Sequence, residues 1–134
     1  MTLKEGIILI NKNNICLIYR DTHNDYSFPK GHLEENETLL ECAIRETEEE
    51  TKRKVSIIKT EPIYIEKYVT PKKEECTCYY YVGYDDGKST NDSSDTHEVV
   101  WTNFDKVEET LSYESLKLLW REIKSEVGEY IKND

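Results

Sequence analysis

Four glutamates crowd the seven residues from Arg45 to Thr51, RETEEET, within a stretch that otherwise has the periodicity of one helix. Like charges at helical spacing repel by a few tenths of a kcal/mol per pair, so any fold for this chain must accommodate them. Thr38 and Glu41 form a T-x-x-E capping box at the start. Leu40, Ile44 and Thr47 follow at i, i+4 and i+7, predicting a helix from about Thr38 to Thr51 or Lys52. At about 100° per residue, Glu46, Glu49 and Glu50 share one arc. Leu40, Ala43, Ile44 and Thr47 fill the adjoining arc, which should face the core, while Glu48 points to the far side and is expected to be only solvated. Carboxylates held beside buried surface repel one another, which raises their pKa values. A solvated acidic face is one explanation. The other is a hard divalent cation such as magnesium, which takes oxygen ligands at about 2.0–2.1 Å and suits a few carboxylates plus substrate phosphates.

The flanking sequence predicts strands. GIILINKNNICLIYR (6–20) contains two apolar β-branched runs around Lys12-Asn13-Asn14, a hairpin signal. Residues 21–36 are polar with Pro29 and Gly31, and are expected as a long loop; such loops are often functional. Residues 55–69 and 75–84 are expected as two strands around TPKK, 85–96 as a loop rich in turn formers, and 98–104 as a short strand. From Ser112, Leu116, Leu119, Trp120, Ile123, Val127 and Ile131 recur at helical spacing. The order ββ-loop-α-βββ-α predicts an α+β fold with a mixed sheet and helices packed on it.

At 134 residues the chain is expected to be one domain, 1–134. No apolar run reaches the roughly 20 residues of a bilayer span, and Met1 to Gly6 lacks a signal-peptide pattern. A cytoplasmic location is the default expectation. Cys16, Cys42, Cys76 and Cys78 are not spaced as a zinc site, so they are expected to be free thiols. The formal net charge of −10 argues against an extended nucleic-acid footprint, which rests on basic patches. It leaves room for a phosphorylated small molecule met by a few placed cations or by metal. Oligomeric state is left open.

Gly31, five residues, Glu37, seven residues, then RETEEETKR (45–53) resembles the Nudix box, G-x5-E-x7-R-E-U-x-E-E-x-G-U with U aliphatic. Gly31, Glu37, Arg45, Glu46, Glu49 and Glu50 all match, and the preceding FPKG is also typical of that family. Three positions depart from it: Thr47 and Arg53 replace aliphatics, and Lys52 replaces the final Gly. A left-handed residue there costs a non-Gly side chain about 1 kcal/mol, so Lys52 is expected instead to extend the helix by a residue.

The resemblance implies a Nudix αβα sandwich, a mixed β-sheet packed between helices, with the box at 31–53. It implies Mg2+, with Mn2+ as a substitute, held by Glu46, Glu49, Glu50 and the Gly31 carbonyl. Glu37 and Arg45 would form a structural pair, unless both are plain surface charges. Metal neutralises phosphoanhydride charge and lowers the pKa of bound water, and a carboxylate takes the proton. The catalytic candidates are Glu46, Glu49 and Glu98; Glu98 lies where family members often carry a further acid, or is a strand-end surface residue. Lys30 and Lys73 are substrate-binding candidates as point charges, although Lys72 and Lys73 also suit a solvated turn. Tyr79 and Tyr81 share a strand face that could stack a nucleobase, which is worth about 1–3 kcal/mol, or simply pack. His32 and His97 suit solvated loops as well as chemistry.

Within the family, FPKGHLEENET, the PKK turn, the tyrosine strand and the ending HEVVWTNF look like the bis(5'-nucleosyl)-tetraphosphatase branch. That branch cleaves diadenosine tetraphosphate to ATP and AMP. The alternatives are a house-cleaning nucleoside triphosphate pyrophosphohydrolase, an enzyme acting on RNA 5' ends, and a non-catalytic nucleotide-binding domain.

Overall fold

The computed structural model describes residues 2–90 and 97–131. Its centre is a parallel pair, β1 (Thr2–Asn11) and β7 (Glu75–Ser89), in register from Thr2 opposite Cys76 to Ile10 opposite Tyr84. The hairpin turn falls at Lys12-Asn13 and leads into β2 (Asn14–Arg20), with Ile10 facing Ile15. The main sheet path runs β3-β2-β1-β7-β5, with β3 at Asp25–Ser27 and β5 at Arg53–Ile57. Off that path β4 (Lys30–His32) pairs with β1, β6 (Tyr64–Val69) with β7, and β8 (Glu98–Asn103) with β2.

The two faces of the sheet are covered by different helices. On one side Ile7, Leu9, Cys16, Ile18 and Tyr81 pack with Ala43 of α1 (Leu39–Thr51). On the other Ile8, Ile10, Tyr80 and Val82 meet Leu119, Trp120 and Ile123 of α3 (Glu114–Tyr130). A 3-10 turn (Phe104–Lys106) and the short α2 (Val107–Thr110) lead into α3. This is the mixed sheet between helices that the element pattern implies.

Several local expectations change. The segment 21–36 is not all loop, because Asp25 pairs with Arg20 and Gly31 with Glu5, making β3 and β4. The run 55–69 splits into β5 and β6; Pro62, lacking an N–H, falls in the gap. Residues 85–89 continue β7 rather than turning, since Arg53 and Val55 of β5 pair opposite Ser89 and Asp85. The rest of that expected loop, 91–96, lies outside the described residues. Lys52 does not extend α1: it adopts φ 61° and ψ 25°, the left-handed conformation of the Gly it replaces. All four cysteines are free and buried.

Candidate active site

The capping box fixes where α1 starts. Thr38 Oγ accepts from the Glu41 N–H at 3.1 Å, and the Glu41 carboxylate accepts from the Thr38 N–H at 2.8 Å. β4 then runs directly beneath the helix. A Cβ placed on Gly31 would lie 1.9 Å from Glu46 Oε2, so only glycine lets that carboxylate cross the strand. Gly6 is required likewise on β1, where a Cβ would lie 2.2 Å from the Pro29 carbonyl oxygen.

Arg45 ties the loop to the helix. Its Nε donates to Glu37 at 2.5 Å, and Nη2 donates to Glu37 at 3.0 Å and to the His32 carbonyl at 3.1 Å. Nη1 reaches Glu46 at 2.8 Å and Glu49 at 3.0 Å. The guanidinium holds the Glu37 carboxyl well down, at about 2. Glu48 is not merely solvated: it accepts from the Val55 N–H at 3.0 Å and pairs with Lys54 at 3.6 Å, fastening β5. Arg53, where the box pattern has an aliphatic, binds Asp85 on β7 at 3.0 Å instead.

The three box carboxylates differ in environment. Burial raises the Glu46 pKa against the pull of Arg45. Glu49 is the most open, its side chain 46% exposed. Glu50 is pushed up to about 8, first by burial and then by Glu46, although the Lys30 N–H, Lys30 and Arg20 oppose the shift. A second buried acid stands beside them. Glu5 on β1 is fully buried; one oxygen accepts from the Cys42 thiol at 3.3 Å and the other has no partner among the described residues.

On the α3 side of the sheet, Lys4, Arg20, Lys30 and Tyr68 line a cleft of about 360 Å³ with Tyr113. Lys4 and Lys30 place their ammonium groups 5.9 and 5.7 Å from the Tyr68 ring centroid. Arg20 is held by Asp25 through two hydrogen bonds of 2.8 and 2.5 Å, and Tyr113 also donates to Asp25. Arg20 first, against the effect of burial, brings the Asp25 carboxyl down to about 2. Because Lys30 and Arg20 also act on Glu50, the cationic cleft borders the acidic box.

The structure therefore brings Gly31, Glu37, Arg45, Glu46, Glu49 and Glu50 together, with Lys30 at their margin. It does not bring the other candidates there. Lys73 sits at φ 65° in the exposed turn after β6, outside the cleft lining. Tyr81 is 4% exposed and Tyr79 half-buried, both packed on the α1 side of the sheet, so neither presents a ring to the cleft; Tyr68 does. Glu98 is exposed at the start of β8 with Tyr19, Asp21 and His97 around it. Glu5, Lys4, Arg20 and Tyr68 were not anticipated as site residues. The signal for Glu5 was present in strand alternation: 5, 7 and 9 share one face, and Ile7 and Leu9 are core residues.

Among the described residues no three Asp, Glu, His or Cys side chains stand ready to hold a metal ion; the Arg45 guanidinium bridges Glu46 and Glu49. The donor chemistry nevertheless suits a hard divalent cation. It is all oxygen, it carries more carboxylates than Arg45 can neutralise, and it includes a buried oxygen with no donor.

The NUDIX domain family model matches residues 4–127. Solved structures of the same fold include an Ap4A hydrolase binary complex from C. elegans, at 17% identity and TM-score 0.77, covering 96% of this chain and 99% of that one. A NUDIX hydrolase from Nitrosomonas europaea is similar at 16% identity and TM-score 0.77, covering 99% and 97%. A MutT protein from Bacillus halodurans follows at 16% identity and TM-score 0.75, covering 92% and 82%. The chain belongs to the Nudix family, and its activity class is that of a pyrophosphohydrolase. Hydrolases of this family generally use divalent metal ions and act on small-molecule nucleotides. No described helix is long and apolar enough to cross a membrane.

Proposed function

We propose that this chain is a Mg2+-dependent hydrolase, with Mn2+ able to substitute, that cleaves diadenosine tetraphosphate asymmetrically to ATP and AMP. The observation that carries this is the join between the acidic box and the cationic cleft: Lys30, which lines the cleft with Lys4 and Arg20, donates its backbone N–H to Glu50. On a chain of net charge −10, two ammonium groups over the Tyr68 ring, in a cleft that Arg20 also lines, suit a polyphosphate with a base attached.

Glu46, Glu49, Glu50 and the Gly31 carbonyl would hold the ion. Bound there, it supplies charge neutralisation at the phosphoryl oxygens and a lowered pKa for the attacking water. The chain's own groups do the rest. Lys30, Lys4 and Arg20 orient non-bridging oxygens as fixed positive charges. Water adds to phosphorus, the bridging P–O bond breaks, and its oxygen leaves with the ATP or AMP half. Glu46, half-buried with a raised pKa, is the candidate to accept the water proton; Glu98, away from the box beside Tyr19, Asp21 and His97, is not placed to do so. Glu37 and Arg45 keep the loop on the helix and do no chemistry themselves. A cytoplasmic setting suits four free thiols.

The test is incubation with Mg2+ and diadenosine tetraphosphate, with products resolved by chromatography. ATP plus AMP supports the assignment, and Glu49→Gln should remove the activity. Intact diadenosine tetraphosphate, with nucleoside triphosphates yielding monophosphate and pyrophosphate, would replace it with a triphosphate pyrophosphohydrolase. MutT proteins are among the structural neighbours, so that panel belongs in the same experiment.

A further inference from the structure

Glu5 occupies a place where a carboxylate is hard to justify by packing. It lies on β1 between Gly31 of β4 and Tyr79 of β7 in the two ladders, on the same face as Ile7 and Leu9. Its exposure is 0%. Among the described residues the Cys42 thiol, a weak donor, is the hydrogen-bond partner of one oxygen, and Oε1 has none. Arg45, a cation that acts on Glu5, is already shared among Glu37, Glu46, Glu49 and the His32 carbonyl. Glu37 and Glu46, both acidic, also act on Glu5. Buried charges persist when they are paired or coordinate metal.

We propose that Glu5 is an additional cation-holding carboxylate of the box. Its unpartnered oxygen, the Gly31 carbonyl next to it in the ladder, and Glu46 above Gly31 form the floor of a divalent-ion site. Glu5 meets the ion directly or through one of the waters that such ions keep. The central strand gives this floor a rigid base, whereas the other carboxylates all ride on α1. This inference rests on the metal-dependent reading above, and it adds a residue that the box pattern does not contain.

The test is a Mn2+ titration followed by electron paramagnetic resonance, which counts free ion without any turnover. Wild type, Glu5→Gln, Glu5→Ala and Glu49→Gln are compared, each with its metal-free melting temperature. Glu5→Gln should lose about 10–100-fold in Mn2+ affinity, while its metal-free melting temperature equals or exceeds that of wild type. If Glu5→Gln does not fold, Glu5→Ala, which leaves neither oxygen, should show the same loss. Mn2+ affinity unchanged in the Glu5 variants but lost in Glu49→Gln would overturn this inference and leave the proposed function standing. Wild type that binds no Mn2+ would overturn both. Failure of both Glu5 variants to fold without metal would make Glu5 a structural residue and overturn the inference alone.

Discussion

The two long helices cover opposite faces of one sheet and are held there by different means. α3 has no side-chain hydrogen bond at its N-cap, Tyr113, but buries Leu116, Leu119, Trp120, Ile123 and Val127. α1 buries Cys42, Ala43, Thr47 and Thr51, with little apolar area among them. It is fastened by the capping box, by Arg45 to Glu37, by Glu48 to the Val55 N–H, and by the Lys52 N–H to the Glu48 carbonyl at 2.9 Å. The difference is what α1 must present. A helix that gathers carboxylates on one arc gives up hydrophobic area, worth about 25 cal/mol per Å², and discrete polar ties replace it. Stability should thus separate from ion response between the two helices, and substitutions on each test that separation.

The largest effect is expected on α3. Trp120 is fully buried, with Phe104 and Phe28 at ring-centroid distances of 5.4 and 6.3 Å. Trp120→Ala should cost about 3–5 kcal/mol, seen as a lower urea midpoint. Any folded fraction should keep the Mg2+-induced rise in melting temperature. Loss of that rise at conditions where the variant is fully folded would show that the two helices are not separate in this sense.

Glu50→Gln on α1 should act in the opposite direction. The folded protein keeps the Glu50 proton up to about pH 8, whereas an unfolded chain releases it near the ordinary 4.5. Stability of the metal-free wild type therefore falls as pH rises from 4.5 to 8. The glutamine variant escapes this and should be the more stable at pH 8, by roughly 1–2 kcal/mol after allowance for partial exposure. The advantage should vanish near pH 4.5. Glu37 works in the opposite window, its carboxyl held at about 2 by Arg45, so its contribution is present above 4.5 and lost as pH falls toward 2. Melting curves across pH without metal should therefore peak on the acid side of neutrality. In wild type Mg2+ must displace the Glu50 proton, so its stabilising effect should be greater at pH 8 than at pH 6.

How far the sequence revealed this depends on whether a feature is local. The capping box, the carboxylate arc and α3's apolar stripe are set by spacing along one helix, and each was legible. Burial of Thr47 was legible too, but not that its hydroxyl would lack a partner. β3 and β4 were hidden because their backbone pairs with β2 and β1, while their own composition is polar. The extension of β7 through Asp85-Asp86-Gly87 was masked by turn-forming residues; Arg53 and the Asn11 amide, distant in sequence, hold Asp85 there. Glu5 follows Lys4 at a polar N-terminus, and Tyr68 stands apart from the three consecutive tyrosines of β7, so nothing local marks either residue. Both lie where strands separate in sequence are adjacent in space.

The departures from the box pattern give the smallest effects. Thr47 is buried with its hydroxyl unpartnered, so Thr47→Val, similar in shape, should stabilise by about 1 kcal/mol, or about 3–4 °C in melting temperature for a chain of this size. No gain would mean that a buried water satisfies the hydroxyl.

Lys52→Gly is smaller still because two terms oppose. The left-handed backbone at φ 61° costs a side-chain-bearing residue about 1–2 kcal/mol. Glycine, however, gives the unfolded chain about 0.5–1 kcal/mol more entropy to lose. The backbone hydrogen bonds at this cap, Lys52 N–H to Glu48 and Thr90 N–H to the Lys52 carbonyl, both 2.9 Å, survive the change. A net gain of about 0.5 kcal/mol, or 1–2 °C, is expected, with the Mg2+ response unaltered. A loss of stability would show that the lysine side chain's own interactions outweigh the backbone strain. In that case this end of α1, like Arg45 and Glu48, is held by polar ties that the usual glycine does not provide.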